Sequence, residues 1–272
     1  MWLKMARSRR LFIVALLCVI PVSSLFVYLK LDFDNRNPER VFLNVVKSSP
    51  SGMQAFQKLD ELTPADAVVF SWWDYSLAIQ EFGRRKPVVA YPSRDIIQSI
   101  SGVSRDPTYA LEMQLFGTYE SSEKIQDVAR AFLLPEDESL KIMRKYGATY
   151  VIVFPGNDET GAFADWWKFI WIARIAGYNG TDYIHIDPSI GGTLTSKAGQ
   201  ATMMRLMFDD QFQPQHFTKI YENNVAKIYR IDYAVSNLVD SQILSLVYLN
   251  DTKILPVCLG LSTRWGSIPL GC

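Results

Sequence analysis

The sequence predicts an α/β fold: mixed helices and a short central sheet after a single N-terminal transmembrane helix, with a small β-rich C-terminal part. Three observations carry that expectation. An almost unbroken apolar run, Leu11 to Leu29, opens the chain. Short apolar runs of strand length then alternate with helical stretches, the pattern of an α/β layer. Near the end, Lys219 to Ile231 reads as two short strands around the turn Glu222-Asn223-Asn224.

The apolar run covers roughly 19 residues, about what a helix needs to cross a bilayer. Pro21 lies within it and predicts a kink. Lys4, Arg7, Arg9 and Arg10 precede it, whereas Lys30, Asp32 and Asp34 follow. The positive-inside rule leaves the N-terminus in the cytoplasm and sends the bulk of the chain outside. A cleaved signal peptide is the rival reading, with Pro21-Val22-Ser23-Ser24 imitating a cut site. Its apolar region is usually shorter, so length favours the uncleaved anchor.

Asn35 to Pro38 is polar and predicts a short linker. Arg40 to Leu62 carries apolar residues at helical spacing, and Ser48-Ser49-Pro50-Ser51-Gly52 divides it into two helices. Ala67-Val68-Val69-Phe70 reads as a buried strand, and Pro87-Val88-Val89-Ala90 as a second. Pro107 to Phe132 predicts helices broken near Gly117. For Pro135 to Tyr146 the charges themselves predict a helix. Pro135 suits the first turn, Glu136, Asp137 and Glu138 suit the N-terminal end of the dipole, and Lys141, Arg144 and Lys145 its C-terminal end. Gly147 supplies the stop. Thr149 to Phe154 is a third strand, and Gly161 to Gly177 the next helix.

Three segments follow: 1–34, cytoplasmic flank and transmembrane anchor; 35–215, an α/β domain; and 216–272, the β-rich end. Ile243 to Leu261 is apolar but interrupted by Asn250, Asp251, Lys253 and Pro256, which argues against a second span. Lys plus Arg and Asp plus Glu are 28 each, a balance that argues against a nucleic-acid partner. With only His185 and His216, and Cys18, Cys258 and Cys272, no cluster has zinc-ligand spacing. Cys258 and Cys272 could pair in an oxidising compartment or stay as two thiols. Asn179-Gly180-Thr181 and Asn250-Asp251-Thr252 are glycosylation acceptor patterns.

Two motifs carry chemistry. Trp72-Trp73-Asp74-Tyr75-Ser76 starts where the first strand ends, a position where α/β sheets tend to place their sites. Indole N–H groups donate and a carboxylate accepts, so the three could grip one small hydroxyl. The plain alternative is two core aromatics with Asp74 as a helix cap. Downstream, Asp165, Lys168 and Ile172 fall on one helix face. Their plain alternative is a surface ion pair worth a few tenths of a kcal/mol, beside a core isoleucine. Asp32-Phe33-Asp34 offers two hard-oxygen ligands, too few for an ion site by themselves. The aromatic stretch Phe163 to Trp171 could instead lie on a bilayer surface.

Together the motifs resemble the C-terminal globular domain of the oligosaccharyltransferase catalytic subunit family, over roughly Met53 to Tyr178. The family's Trp-Trp-Asp-Tyr-Gly is matched at four of five positions by Trp72 to Ser76, and its Asp-x-x-Lys-x-x-x-Ile/Met helix by Asp165, Lys168 and Ile172. Thr63-Pro64-Ala65-Asp66-Ala67 and Lys168 to Ile175 also look like the family. The resemblance implies that Trp72, Trp73 and Asp74 bond the Ser or Thr hydroxyl two residues after an acceptor Asn. It implies that Ile172 touches the Thr methyl and that Asp165 and Lys168 shape the same pocket. A site built for a hydroxyl rejects peptides that lack it.

Ser76 stands where the family has Gly, which would be strained if the position needed φ > 0. Family members also have a multi-span membrane domain. Its acidic loops bind Mn2+ or Mg2+ and activate the acceptor amide for attack on a lipid-linked oligosaccharide. Those loops are absent from this sequence. The expectation is therefore the sequon-recognition part of an N-glycosylation system, with no cofactor of its own and no catalysis alone. Its partners would be an acceptor polypeptide and the membrane, and the chain would be either a truncated piece of the full enzyme or a split subunit with a multi-span catalytic partner chain. The alternative is a membrane-anchored extracytoplasmic binding or scaffolding protein.

Overall fold

A computed structural model describes residues 2–101, 106–156, 163, 165–187 and 191–233. It is a mixed α/β structure. The first helix, α1 (Trp2–Arg36), leads into α2 (Pro38–Ser48) and α3 (Pro50–Leu62). Proline opens both α2 and α3, and a side chain caps each: Asn37 accepts from Glu39 N–H and Ser49 from Gly52 N–H. Ser49 thus ends one helix and starts the next, at the interruption the sequence predicts.

Strands β1 (Val68–Phe70), β2 (Lys86–Pro87), β3 (Tyr150–Val153), β6 (Phe217–Glu222) and β7 (Lys227–Ile231) form one sheet, in the order β2-β1-β3-β7-β6. β1 runs parallel to β2 and β3, whereas β7 pairs antiparallel with β3 and β6. The strands of 217–231 thus complete the sheet that carries the Trp-Trp-Asp segment. Asn223 makes their turn, its Oδ1 accepting from Val225 and Ala226 N–H. A hairpin of β4 (Ile184–Asp187) and β5 (Gly191–Leu194) stands apart from this sheet.

Helices cover the sheet. α4 (Ser76–Glu81), α5 (Arg94–Ser101), α6 (Pro107–Phe116), α7 (Ser122–Leu133) and α8 (Glu136–Lys145) lie between β1 and β3. α9 (Asp165–Ile175) follows β3, and three short helices, α10 (Ser196–Gln200), α11 (Thr202–Met207) and α12 (Asp209–Phe212), precede β6. The break near Gly117 separates α6 from α7, and Gly147, at φ +66°, ends α8 as expected. One apolar core joins both layers, with Phe56, Phe70, Tyr75, Phe132, Phe154, Phe169 and Tyr229 among its buried rings.

The transmembrane anchor expected over Leu11–Leu29 is not supported. Among the described residues no helix is long and apolar enough to cross a membrane. The expected segment falls in part on side chains outside the described residues. In the part that is described, the physical reason is visible. Lys30, Asp32, Asp34 and Arg36 follow the apolar stretch within the same helix, and this charged end is docked on α6. Arg36 reaches Asp106 at 2.5 Å and the fully buried Glu112 at 3.1 Å, while Phe33 packs on Tyr109 and Phe116. Asp32 and Asp34 answer to cations of the chain itself, Arg36 and Lys30. Cys258, Cys272 and the Asn250 triplet lie outside the described residues. Asn179 is exposed, its side chain accepting from Thr181 N–H.

Candidate functional site

The Trp-Trp-Asp segment leaves the sheet at the end of β1. Trp72 is extended, and Trp73–Tyr75 then closes a single 3-10 turn that runs into α4. Asp74 caps nothing: neither the turn nor α4 has a side-chain cap. Its carboxylate points instead to Lys168, whose Nζ lies 2.6 Å from Asp74 Oδ2.

On the other side, Asp165 opens α9 and clamps it to the end of β3. Its backbone N–H donates to Phe154 O at 2.9 Å, and its Oδ2 accepts from Phe154 N–H at 3.0 Å. The other oxygen, Oδ1, accepts from the Tyr75 hydroxyl at 2.7 Å and lies 3.1 Å from Lys168 Nζ. Lys168 also donates to the Tyr75 oxygen at 2.8 Å. Tyr75, Asp74, Asp165 and Lys168 are therefore one hydrogen-bonded cluster joining the two motifs. The surface ion pair of the plain alternative is replaced by a largely covered ammonium, its side chain 18% exposed, between two buried carboxylates.

Burial sets the electrostatics. Asp74 is 7% exposed. Loss of water pushes its carboxyl up from an ordinary 3.8 to about 6; the Lys168 charge opposes the rise and the Asp165 charge adds to it. Burial pulls the Lys168 ammonium down, but Asp74 and Asp165 outweigh it, and the net direction is upward. One oxygen of Asp74 is left over: Oδ1 is buried and has no hydrogen-bond partner among the described residues. A buried acceptor without a donor costs about 1–3 kcal/mol, a cost a bound donor would relieve.

Trp72 and Trp73 are 5% and 6% exposed, so their rings are mostly core. Ile172 is fully buried, one turn beyond Lys168 on α9. The structure thus brings Asp74, Asp165 and Lys168 into contact and puts Trp72, Trp73 and Ile172 in the same core cluster. Two contributors were not singled out by their sequence pattern. Tyr75 is the link between the motifs, and its ring stacks on Phe154 with centroids 4.1 Å apart. Phe42 of α2 lies over the Lys168 ammonium at 4.6 Å and meets Tyr75 edge-on. Tyr75 sits inside the motif and could have been suspected from its position, whereas nothing local marks Phe42. Among the described residues, no group of His, Cys, Asp or Glu could hold a metal ion.

Fold and site define an α/β domain in which a Trp-Trp-Asp turn and an Asp-x-x-Lys helix share a buried charge cluster. Over 124 residues the chain is 29% identical to the STT3B subunit of the dolichyl-diphosphooligosaccharide–protein glycosyltransferase of Oryza sativa subsp. japonica, and 28% identical to that of Arabidopsis thaliana. It is 25% identical over 123 residues to the stt3 subunit of Schizosaccharomyces pombe. This stretch is homologous to the C-terminal region of the STT3 oligosaccharyltransferase subunits. It spans 46% of this chain but only 14% of the rice subunit. No family model matches. Among solved structures, two of the C-terminal globular domain of oligosaccharyltransferase from Archaeoglobus fulgidus align at 20% identity. One covers 67% of this chain and 97% of that domain with a TM-score of 0.43; the other covers 68% and 98% with a TM-score of 0.37.

Proposed function

We propose that this chain reads the Ser or Thr of Asn-x-Ser/Thr acceptor sequences within a protein N-glycosylation system. Homology to STT3 subunits supports a role in such a system. The observation that carries the finer reading is Asp74 Oδ1, a buried carboxylate oxygen without a donor among the described residues, beside two tryptophans. A peptide hydroxyl supplies the missing proton, and Lys168 on Oδ2 holds the carboxylate in place to receive it. Asp165 and Tyr75 in turn hold Lys168. Ile172 then acts from beneath the site, giving shape to the wall that meets a Thr methyl.

In this reading amide activation, with its Mn2+ or Mg2+, belongs to a multi-span membrane part outside these residues, on the same or on a partner chain. A second reading, a binding or scaffolding protein without acceptor reading, draws on the complete burial of Ile172 and near-complete burial of both tryptophans.

Peptide titration separates the two. With sequon reading, an Asn-x-Thr peptide binds the purified chain about tenfold or more tightly than Asn-x-Ala, the value of roughly one well-made hydrogen bond. Equal affinity leaves the scaffold.

A further inference from the structure

We infer that Ser76 is a positioning residue, holding the Trp72–Asp74 turn in the shape that presents Asp74 to a peptide hydroxyl; its functional sense rests on the sequon-reading proposal above. Ser76 is fully buried. Its hydroxyl lies 2.5 Å from Trp73 O and 2.5 Å from Val89 O, two carbonyls on different segments that share its one proton. Trp73 O belongs to the 3-10 turn and also accepts Ser76 N–H. Val89 follows β2, and its neighbour Val88 donates to Val69 O of β1 at 2.8 Å. The serine hydroxyl therefore ties the turn to the edge of the central sheet. Gln80 Nε2 donates to Ser76 O at 3.2 Å and fixes the same residue from the α4 side.

The backbone here does not ask for glycine. Ser76 has φ −57° and ψ −46°, ordinary helical values. Ser in place of the family's Gly is thus unstrained, and it adds a bridge that glycine cannot make. Asp74 stands two residues before the bridge. Its Oδ2 contact to Lys168 and its open Oδ1 both depend on where the turn lies. A turn free to move would let Oδ1 find another donor, and the preformed acceptor would be lost.

The test uses Ser76→Ala and Ser76→Gly in the full chain, with amide hydrogen exchange across Trp72–Ser76 and titration of Asn-x-Thr and Asn-x-Ala peptides. Loss of the hydroxyl bridge should speed exchange in the turn about tenfold while the amides of β1 and β3 keep their protection. It should also cut the Thr-over-Ala preference severalfold with Asn-x-Ala affinity unchanged. Ser76→Ala isolates the hydroxyl, whereas Ser76→Gly also frees the backbone and should exchange at least as fast. A merely structural serine would lower the melting temperature and leave the preference intact, and that result overturns the inference, as does unchanged exchange in the turn. If the unmodified chain shows no preference, the sequon-reading proposal fails on its own, and exchange alone then decides for or against Ser76.

Discussion

The Tyr75 hydroxyl donates to Asp165 Oδ1 at 2.7 Å, joining residues 90 positions apart in the chain. It also accepts from Lys168 at 2.8 Å. Tyr75→Phe keeps the stacking on Phe154 and removes both links, leaving buried partners short of a bond. We expect a loss of about 1–2 kcal/mol in urea denaturation. Stability equal to that of the parent chain would mean the cluster contributes nothing through Tyr75.

Lys168 is the only cation in hydrogen-bond reach of Asp74 among the described contacts. Lys168→Met leaves two buried carboxylates facing each other without compensation, and should cost roughly 3–5 kcal/mol. Adding Asp74→Asn to Lys168→Met removes one of those charges and should restore part of the loss. Strictly additive losses in the double variant would show that the two side chains are not coupled.

The Asp74 carboxyl is pushed up to about 6, because burial disfavours its charged form. The folded state therefore binds this proton more tightly than the unfolded chain does. Its contribution is full below pH about 4 and fades as pH rises through 6, by up to roughly 3 kcal/mol. Asp74→Asn should flatten that part of the profile, so the difference in stability between variant and parent should shift in favour of the variant between pH 4 and 7. A difference that stays constant across this range would refute the burial cost assigned to Asp74.

Ile172 is fully buried, so its truncation reports packing first. Ile172→Val should cost about 0.5–1.5 kcal/mol and Ile172→Ala about 2–5 kcal/mol. If the residue also shapes the wall against a Thr methyl, Ile172→Val narrows the preference for Asn-x-Thr over Asn-x-Ser. A ratio of the two affinities identical to the parent's would confine Ile172 to the core.

What was legible in the sequence was mainly local. The charge gradient from Glu136 to Lys145 and the stop at Gly147 are backbone chemistry, and the corresponding helix is α8. The Trp-Trp-Asp and Asp-x-x-Lys motifs were visible as spacings, and the contact between Asp74 and Lys168 joins them. What was missed depends on tertiary neighbours. α5, with Ile96, Ile97 and Ile100 at helical spacing, and β4, with its alternation Ile184-His185-Ile186-Asp187, show a period over too few residues to stand out, and α10 to α12 are too short for one. Asp74 has the chemistry of a helix cap, and only the position of Lys168 shows why it does not serve as one. Phe42 reaches Lys168 from a helix far earlier in the chain, which no local pattern records. The apolar run after Leu11 reads as a bilayer span, whereas no helix among the described residues is long and apolar enough to cross one, and the same helix ends in Arg36 paired with Asp106 and Glu112.

Acceptor reading by Asp74 is tested most directly by a double-mutant cycle that pairs Asp74→Ala in the chain with Thr→Ala in an Asn-x-Thr peptide, each combination titrated by calorimetry. A hydroxyl bonded to Asp74 predicts a coupling of about 1–2 kcal/mol, so that the Thr preference disappears in the variant while Asn-x-Ala affinity barely changes. A coupling near zero, with the variant still preferring Thr, would contradict it.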